Sequence, residues 1–307
     1  MPYVIIIAAA VLIAGASAAV YFAAFYRGSR GDVTYKVLSG PDYDPYHDDM
    51  IALIDKAVKI PYEPVYITAK DGVKLFGRLY RQSARAPYHI QFNGYKGNGI
   101  RDFSGGLQLA LKTGANVILV DQRAHGASGG HTISFGVRER YDVAAWAEYV
   151  TGIAGENARI YLDGVSMGAA TVLMAADLPL PDTVKGIIAD CPYDTPFGIV
   201  SHVAGKKPEL KYVSRPFIVL GALLFGRFNI FASSPVDSVR GAKVPILIIH
   251  GTADNYVPIE MSRRIRDAAP DKVTLVEVEG APHGLSYIKD YEKYEKAFYG
   301  FLEKTKQ

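Results

Sequence analysis

The sequence predicts an α/β protein in which a mostly parallel central sheet is flanked by helices on both faces. Two observations carry this prediction. From about residue 89 onward, short apolar runs alternate with longer segments of helical periodicity. The apolar runs are nearly continuous rather than alternating, as expected for strands buried on both faces. With 307 residues, the chain is long enough for one large α/β domain and a substantial core.

The first element is apolar and lies at the N-terminus. No charged residue occurs between Pro2 and Tyr26, and about 20 apolar residues suffice to cross a bilayer as a helix. We therefore predict an N-terminal transmembrane helix, an uncleaved anchor over residues 1–27. A cleavable signal peptide is the alternative, since Ala16-Ser17-Ala18 resembles a cleavage site, but no Lys or Arg precedes the apolar run. A buried core helix would be shorter and less uniformly apolar.

The side of the membrane stays open. Arg27 and Arg30 follow the apolar run, which favours a cytoplasmic domain under the positive-inside rule. Two arginines with Asp32 close behind give too small a charge difference to fix the orientation.

Residues 28–60 are interpreted as a tether that ends in a short amphipathic helix over 48–59. The main domain is assigned to residues 61–307. It opens with a hairpin, because two strand-like runs at 65–68 and 73–80 flank the turn pair Asp71-Gly72.

The alternating part of the chain supplies the rest of the sheet. Strands are predicted at 89–92, 117–120, 160–162, 184–189, 245–249 and 273–278, and helices at 105–112, 138–150, 167–176, 259–267 and 287–302. The insert over about 197–243 has no strand pattern and is rich in apolar residues. We expect a small helical lid there, with a helix that only packs against the core as the alternative.

Charge and cysteine content narrow the classes of function. The net charge is +3, and the only adjacent basic pairs are Lys206-Lys207 and Arg263-Arg264, so nothing indicates binding of nucleic acid. The single cysteine, Cys191, excludes an intrachain disulfide and leaves the compartment undecided.

The motif with the most chemical content is Gly164-Val165-Ser166-Met167-Gly168, which follows a predicted strand and precedes a predicted helix. A serine between two such glycines is typical of a nucleophile elbow, a sharp strand-to-helix turn that exposes the hydroxyl. A serine hydroxyl needs a base and an orienting acid. Asp254 and His283 follow later strands, so all three side chains are expected at the carboxyl edge of the sheet.

Other residues compete for the roles of base and acid. Asp190 and Asp194 follow the preceding strand and are rival acids, but Asp254 has the motif context and chain order of this arrangement. His283 is favoured as the base because it follows the last strand in a Pro-His-Gly loop. The remaining histidines are His47, His89, His125, His131, His202 and His250.

An oxyanion hole should complete the site. Its expected donors are the backbone N–H of Met167, directly after the serine, and that of Tyr95 in the glycine-rich loop over 93–99. A phosphate-binding loop is the alternative, but this loop has neither the Walker pattern nor the dinucleotide-binding spacing.

These segments resemble the successive landmarks of the α/β-hydrolase superfamily over residues 60–305. The resembling stretches are 92–95, 121–130, 164–168, 250–254 and 282–284, and they look most like bacterial membrane-anchored hydrolases of the serine aminopeptidase and prolyl-oligopeptidase-like branch. The resemblance implies the α/β-hydrolase fold, a mechanism without cofactor or metal, and triad roles for Ser166, Asp254 and His283. Asn93-Gly94 stands where such proteins usually carry His-Gly, which makes the Tyr95 assignment less secure.

The function predicted from these residues is cleavage of a carboxylic ester of an acyl or hydrophobic substrate through an acyl-Ser166 intermediate. A serine peptidase that cleaves a short peptide is the nearest alternative. A catalytically inactive scaffold that binds a membrane partner is the second. The oligomeric state is not indicated by the sequence.

Overall fold

A computed structural model describes residues 2–28, 31–210 and 212–306. Its centre is an eight-stranded sheet with the order β1-β2-β4-β3-β5-β6-β7-β8. The strands are β1 (Glu63–Thr68), β2 (Lys74–Tyr80), β3 (Tyr88–Phe92), β4 (Asn116–Asp121), β5 (Ile160–Val165), β6 (Val184–Asp190), β7 (Ile246–Gly251) and β8 (Val273–Val278). β1 and β2 pair antiparallel with their neighbours, and every pairing from β4 to β8 is parallel. The predicted mostly parallel α/β fold is confirmed.

The helices cover both faces of the sheet. They are α1 (Pro2–Val20), α2 (His47–Ala57), α3 (Gly99–Lys112), α4 (Glu139–Ala154), α5 (Met167–Met174), α6 (Pro196–Ala204), α7 (Ser214–Leu220), α8 (Pro235–Ser238), α9 (Ile259–Ala268), α10 (Ser286–Lys289) and α11 (Tyr291–Lys304). One core cluster packs Trp146 of α4 and Ile265 of α9 against the sheet. Separate clusters bury Leu107 of α3 and Phe298 of α11 with sheet residues.

Two helices differ from the prediction because side chains cap them. α3 begins six residues earlier than expected, since Asn98 accepts a hydrogen bond from the Arg101 N–H at its start. The last predicted helix is divided into α10 and α11 at Asp290, whose side chain caps α11 by accepting from the Lys293 N–H. The sequence-based helix bounds took no account of either cap.

The N-terminal helix is long, apolar and docked only at its end. α1 continues through a π-helical turn, Tyr21–Phe25, and together they form a 24-residue apolar helix of which little is buried. Residues 2–15 are exposed, whereas Tyr21 and Phe25 are buried in a cluster with residues of the main domain. The Tyr21 hydroxyl bonds Thr132 Oγ1 at 2.8 Å, and the Ile133 N–H donates to Phe25 O at 2.7 Å.

The segment between β6 and β7 contains helices and no strand within its described residues. α6, α7, a π-helical turn over Gly221–Phe225 and α8 make up most of it. We call the segment from α6 to this π-helical turn the lid. α1 lies directly against it, since a Cβ on Gly221 would sit 2.8 Å from the carbonyl oxygen of Ser17. A larger residue at Gly221 would push the two helices apart.

The segment expected to be a tether is in contact with the main domain. Thr34 Oγ1 accepts from Asn98 Nδ2, Lys36 O accepts from Arg101, and Asn255 donates to Asp42. These polar contacts, made across more than 60 residues of sequence, have no signature in the local composition on which the interpretation was based.

Candidate active site

The turn from β5 into α5 has the geometry of a nucleophile elbow. Ser166 has φ 54° and ψ −116°, a conformation that costs a non-glycine residue energy and therefore needs support from its surroundings. The flanking glycines provide the necessary space. A Cβ at Gly164 would lie 2.3 Å from Gly168 backbone atoms, and one at Gly168 would lie 1.9 Å from the carbonyl oxygen of Phe92. The spacing of glycine, serine and glycine thus follows from the close approach of β3, β5 and α5.

Gly168→Ala should therefore destabilise the fold. We expect a loss of at least about 2 kcal/mol, because the added methyl overlaps the Phe92 carbonyl and the backbone must shift. Gly152→Ala in α4 is the matched control, since a Cβ there meets nothing within 4 Å and should stabilise the helix by roughly 0.5–1 kcal/mol. Thermal unfolding followed by circular dichroism measures both. Equal melting temperatures for the two variants would contradict this account of the elbow.

The structure brings Ser166, His283 and Asp254 together in a continuous chain. His283 Nε2 lies 2.9 Å from Ser166 Oγ, and His283 Nδ1 lies 2.6 Å from Asp254 Oδ2. Because a carboxylate only accepts, Nδ1 carries the proton and Nε2 can accept from the serine hydroxyl. Both His283 and Asp254 are buried.

Asp254 is held as an ionised acceptor. Its Oδ1 accepts from the backbone N–H groups of Tyr256 at 2.8 Å and Val257 at 2.7 Å, and its Oδ2 lies 3.0 Å from His250 Nε2. Burial by itself would raise the pKa of this carboxyl, but the neighbouring His283 and the hydrogen bond from His250 hold the pKa of Asp254 well below its usual value. His250 makes that contact and also bonds Ser262 Oγ at 2.7 Å.

The rival acids and histidines have other partners. Asp194 pairs with Arg264 at 2.7 Å, and His89 bonds Asp163 at 2.8 Å in the core. Asp190 lies beside the site, where its backbone carbonyl accepts from the Ser166 N–H. Burial raises the pKa of Asp190 to about 6 against the opposing influence of His250. Its Oδ1 has no hydrogen-bond partner among the described residues.

The raised pKa of Asp190 predicts a pH-dependent stability. A carboxyl whose pKa is higher in the folded than in the unfolded chain binds more protons when folded, so stability falls as pH rises from about 4 to 6. Asp190→Asn removes the free-energy cost of ionising this buried carboxyl. The variant should exceed wild type by roughly 2 kcal/mol at pH 7.5, and the difference should vanish near pH 4. Chemical unfolding of both proteins at the two pH values measures it, and an Asn variant no more stable at pH 7.5 would contradict the prediction.

The loop after β3 is fixed on both sides of Tyr95. The Gly94 N–H donates to Asp102 Oδ2 at 2.8 Å, and the Lys96 N–H donates to His125 Nε2 at 2.9 Å. Burial lowers the pKa of His125 to about 3, which keeps the imidazole neutral and able to accept. The Tyr95 N–H itself has no hydrogen-bond partner within the described part of the chain. Met167 begins α5, where first-turn N–H groups have no acceptor inside the helix.

Asn93, which departs from the usual His-Gly pattern, braces this loop. Its Oδ1 accepts from the Gln122 N–H at 2.9 Å, and its Nδ2 donates to Gly94 O at 2.7 Å. The side chain is completely buried. An asparagine can therefore hold the loop through the hydrogen bonds that its amide makes.

Contacts from the N-terminal helix to this loop were missed by the sequence analysis. The Tyr95 hydroxyl donates to Ala24 O at 2.8 Å, and the Lys96 ammonium donates to Ala23 O at 3.1 Å. Carbonyls at a helix C-terminus attract such donors. The end of the apolar helix is thus in direct contact with the loop that is expected to supply an oxyanion donor.

Two cavities adjoin Ser166, and Tyr95 and Tyr256 line both. The first, of about 250 Å³, is also lined by His283, Asp190 and residues of the 37–53 segment. The second, of about 310 Å³, is lined by residues of α1, its π-helical turn, α6 and α7. We call them the His283 cavity and the helix cavity.

The side chains close enough to share a metal ion within the described residues are Cys191, Asp254 and His283. Their chemistry does not favour a metal site. His283 Nδ1 and Asp254 Oδ2 are already bonded to each other, and burial raises the pKa of the Cys191 thiol, which keeps that sulfur protonated.

Known proteins share this architecture. A family model described as the alpha/beta hydrolase fold matches residues 93–212. The uncharacterised protein YqkD of Bacillus subtilis is 29% identical over 201 residues, covering 64% of this chain and 65% of that protein. The bifunctional esterase/perhydrolase DCH of Acinetobacter calcoaceticus is 28% identical over 269 residues, covering 72% of this chain and 93% of that protein. The solved structure of the Pyrococcus furiosus esterase Pf2001 matches with a TM-score of 0.67 and 22% identity, covering 92% of this chain and 99% of that one.

The family model and the solved structure agree on the alpha/beta hydrolase fold for this chain. This chain spans slightly less than two thirds of the length of YqkD. The similarities do not single out the serine aminopeptidase and prolyl-oligopeptidase-like branch that the motifs resemble.

Proposed function

We propose that this protein is a serine hydrolase that cleaves carboxylic esters through an acyl-Ser166 intermediate. One observation carries the proposal. On a strained elbow, Ser166 Oγ lies 2.9 Å from His283 Nε2, and His283 Nδ1 lies 2.6 Å from an Asp254 carboxylate that two backbone N–H groups hold in place. A nucleophile, a base and an orienting acid in hydrogen-bond contact are what nucleophilic acyl transfer requires.

In the first half of the reaction, His283 Nε2 takes the proton of Ser166 while Oγ attacks the ester carbonyl carbon. The tetrahedral intermediate collapses with cleavage of the carbon–oxygen bond, and His283 gives the proton to the leaving alcohol. In the second half, His283 takes a proton from water, whose oxygen attacks the acyl carbon. The carboxylic acid leaves and Ser166 regains its proton. Asp254 stabilises the imidazolium in both halves.

The oxyanion is assigned to the N–H groups of Tyr95 and Met167. Support for Tyr95 comes from its unbonded N–H between two neighbours, Gly94 and Lys96, whose N–H groups are engaged. Support for Met167 comes from its position at the start of α5, directly after the serine. Each donor in such a pair contributes about 2.7–4 kcal/mol of transition-state stabilisation.

An ester with a hydrophobic acyl group fits the site better than a peptide. Apart from Ser166, the side chains that line the helix cavity are apolar or end in a hydroxyl, and none is charged. A peptidase that grips a charged peptide terminus would need a charged or strongly polar pocket there. DCH is named an esterase/perhydrolase and Pf2001 an esterase, which points in the same direction.

We assign the N-terminal helix as an uncleaved membrane anchor. The 24-residue helix is about 35 Å long, and its exposed apolar part, residues 2–15, extends about 20 Å beyond the turns that pack on the main domain. The candidate cleavage site Ala16-Ser17-Ala18 is helical, and Ser17 is completely buried against the lid. A segment that packs into the folded domain in this way supports a helix that stays part of the protein.

Labelling with a fluorophosphonate probe tests the proposed activity. The full chain in detergent should be labelled, Ser166→Ala should not, and the control Ser83→Ala, at an exposed site in a loop, should label like wild type. A p-nitrophenyl ester should then be hydrolysed faster than an amino-acid p-nitroanilide. Labelling that survives Ser166→Ala would contradict the mechanism, and a faster anilide reaction would favour the peptidase.

A further inference from the structure

The two cavities at Ser166 can be assigned to the two halves of an ester. The leaving oxygen must receive its proton from His283, so it must lie within hydrogen-bond reach of Nε2. His283 lines the cavity of about 250 Å³ and does not line the helix cavity, whereas Met167 lines only the latter. The alcohol therefore occupies the His283 cavity, and the acyl chain extends into the helix cavity.

The wall of the helix cavity is built partly by the anchor. Val20, Ala23 and Ala24 line it from one side, and Val203 and Ile218 of the lid line it from the other. The helix assigned to the bilayer is thus itself part of the site in which the acyl chain is bound.

The outer surface of the same elements is apolar and exposed. Phe22 of the anchor is 57% exposed, and Val213 and Leu224 of the lid are 61% and 58% exposed. Phe225 of the lid is also exposed, and its ring lies 6.1 Å from that of the buried Tyr21, so the lid and the anchor are in contact beneath this surface. An apolar surface continuous with a membrane-length helix is expected to enter the lipid interface.

The charges of the lid also support placing this face of the protein against the membrane. Among the described residues of the lid and its immediate continuation, the exposed basic side chains are Lys206, Lys207, Arg215 and Arg227. One acidic residue, Glu209, lies among them. Basic residues beside a membrane-inserted surface are attracted by anionic headgroups.

The His283 cavity offers a polar group for the alcohol. Asp190 lines it, is 8% exposed, and its Oδ1 has no hydrogen-bond partner among the described residues. The Asp190 carboxylate also interacts with Tyr294 and Cys191, and its Oδ1 keeps acceptor capacity for a ligand that brings a donor. A second hydroxyl on the leaving alcohol would provide one.

We propose that the substrate is a single-chain membrane lipid, a long-chain ester of a hydroxyl-bearing alcohol, whose acyl chain passes from the bilayer into the helix cavity between the anchor and the lid. This inference rests on the proposed esterase function. The balanced reaction uses water and releases a fatty acid and the alcohol. The acyl chain need not leave an apolar environment between the bilayer and Ser166.

The anchor's part in the acyl site is tested with a matched pair of variants in the full chain. Ala24→Phe fills the helix cavity, whereas Ala19→Phe adds the same ring to an exposed position of α1 that does not line it. We expect Ala24→Phe to lower the ratio of kcat/KM for p-nitrophenyl laurate over p-nitrophenyl acetate roughly tenfold or more. Ala19→Phe should leave that ratio unchanged. An unchanged ratio in Ala24→Phe would overturn the assignment of the acyl chain.

The lipid and its alcohol are tested with enzyme reconstituted in phosphatidylcholine–phosphatidylglycerol vesicles. Monooleoylglycerol in the same vesicles should be hydrolysed faster than methyl oleate. Asp190→Ala should lower this preference several-fold, while a purely structural role would slow both esters alike. Failure to hydrolyse monooleoylglycerol, or faster hydrolysis of an S-acylated peptide, would overturn the lipid assignment. Fluorophosphonate labelling of the same samples separates these failures from failure of the esterase mechanism, since it requires only Ser166 and His283.

Discussion

Replacement of Ser166 by alanine should lower kcat for ester hydrolysis by roughly 10⁴–10⁶. The hydroxyl is the atom on which the acyl group is carried, and among the residues that the structure describes no other serine, threonine or cysteine occupies its position between His283 Nε2 and the loop of Tyr95. Cys191 is the nearest thiol to His283 and Asp254, but burial raises its pKa, so it is a poor substitute nucleophile. The measurement is hydrolysis of p-nitrophenyl acetate by purified full-length protein.

A variant of the proposed base, His283, tests the same prediction further. His283→Ala should cost about as much as Ser166→Ala, and the double variant should be no worse than either, because nucleophile and base act as one unit. His202→Ala is the control, since His202 lies on α6 and is not part of the chain of contacts. If the losses in kcat of the two single variants multiplied in the double variant, the proposed roles would be contradicted. A His283→Ala variant that kept a tenth of the wild-type activity would contradict them too.

Asp254→Asn should lower kcat by roughly 10⁴ while the fold is retained. The wild-type carboxylate accepts from the Tyr256 and Val257 N–H groups on one oxygen and faces His283 and His250 with the other. An amide has one acceptor oxygen, so its NH₂ group must face donors on one of the two sides. If it faces His283, the imidazole is held in the wrong tautomer.

The rival acid provides the matched control for this variant. Asp194→Asn breaks an ion pair with Arg264 and should change kcat by no more than about threefold, because neither residue lines the cavities at Ser166. Circular dichroism establishes that both variants are folded. A loss in Asp254→Asn no larger than in Asp194→Asn would contradict the assignment of Asp254 as the orienting acid.

The sequence predicted those parts of the fold that depend on local pattern. All eight strands have a strong apolar signature, and the elbow motif, Asp254 and His283 each follow a strand, so their meeting at one edge of the sheet could be expected. The strand bounds agree within a few residues because β3 to β7 are buried almost throughout.

The rest depends on contacts between distant segments, which leave no local pattern. The neutral His125 that fixes the Lys96 N–H is 29 residues away in sequence. The hydrogen bond from the Tyr95 hydroxyl to Ala24 spans 71 residues and connects the active-site loop to a helix whose composition indicates only a membrane span. The composition of residues 2–26 predicted the helix, but it could not predict that its last turn forms part of the site.

The central claim is an acyl-enzyme on Ser166, and its most direct test is capture of that species. Full-length enzyme should be mixed with excess p-nitrophenyl laurate, quenched in acid within the first turnover, digested and analysed by mass spectrometry. We expect a burst of one p-nitrophenol per active site and a lauroyl group on the peptide that contains Ser166, with neither seen in Ser166→Ala. A lauroyl group on another residue, or steady hydrolysis by the Ser166→Ala variant, would contradict the account.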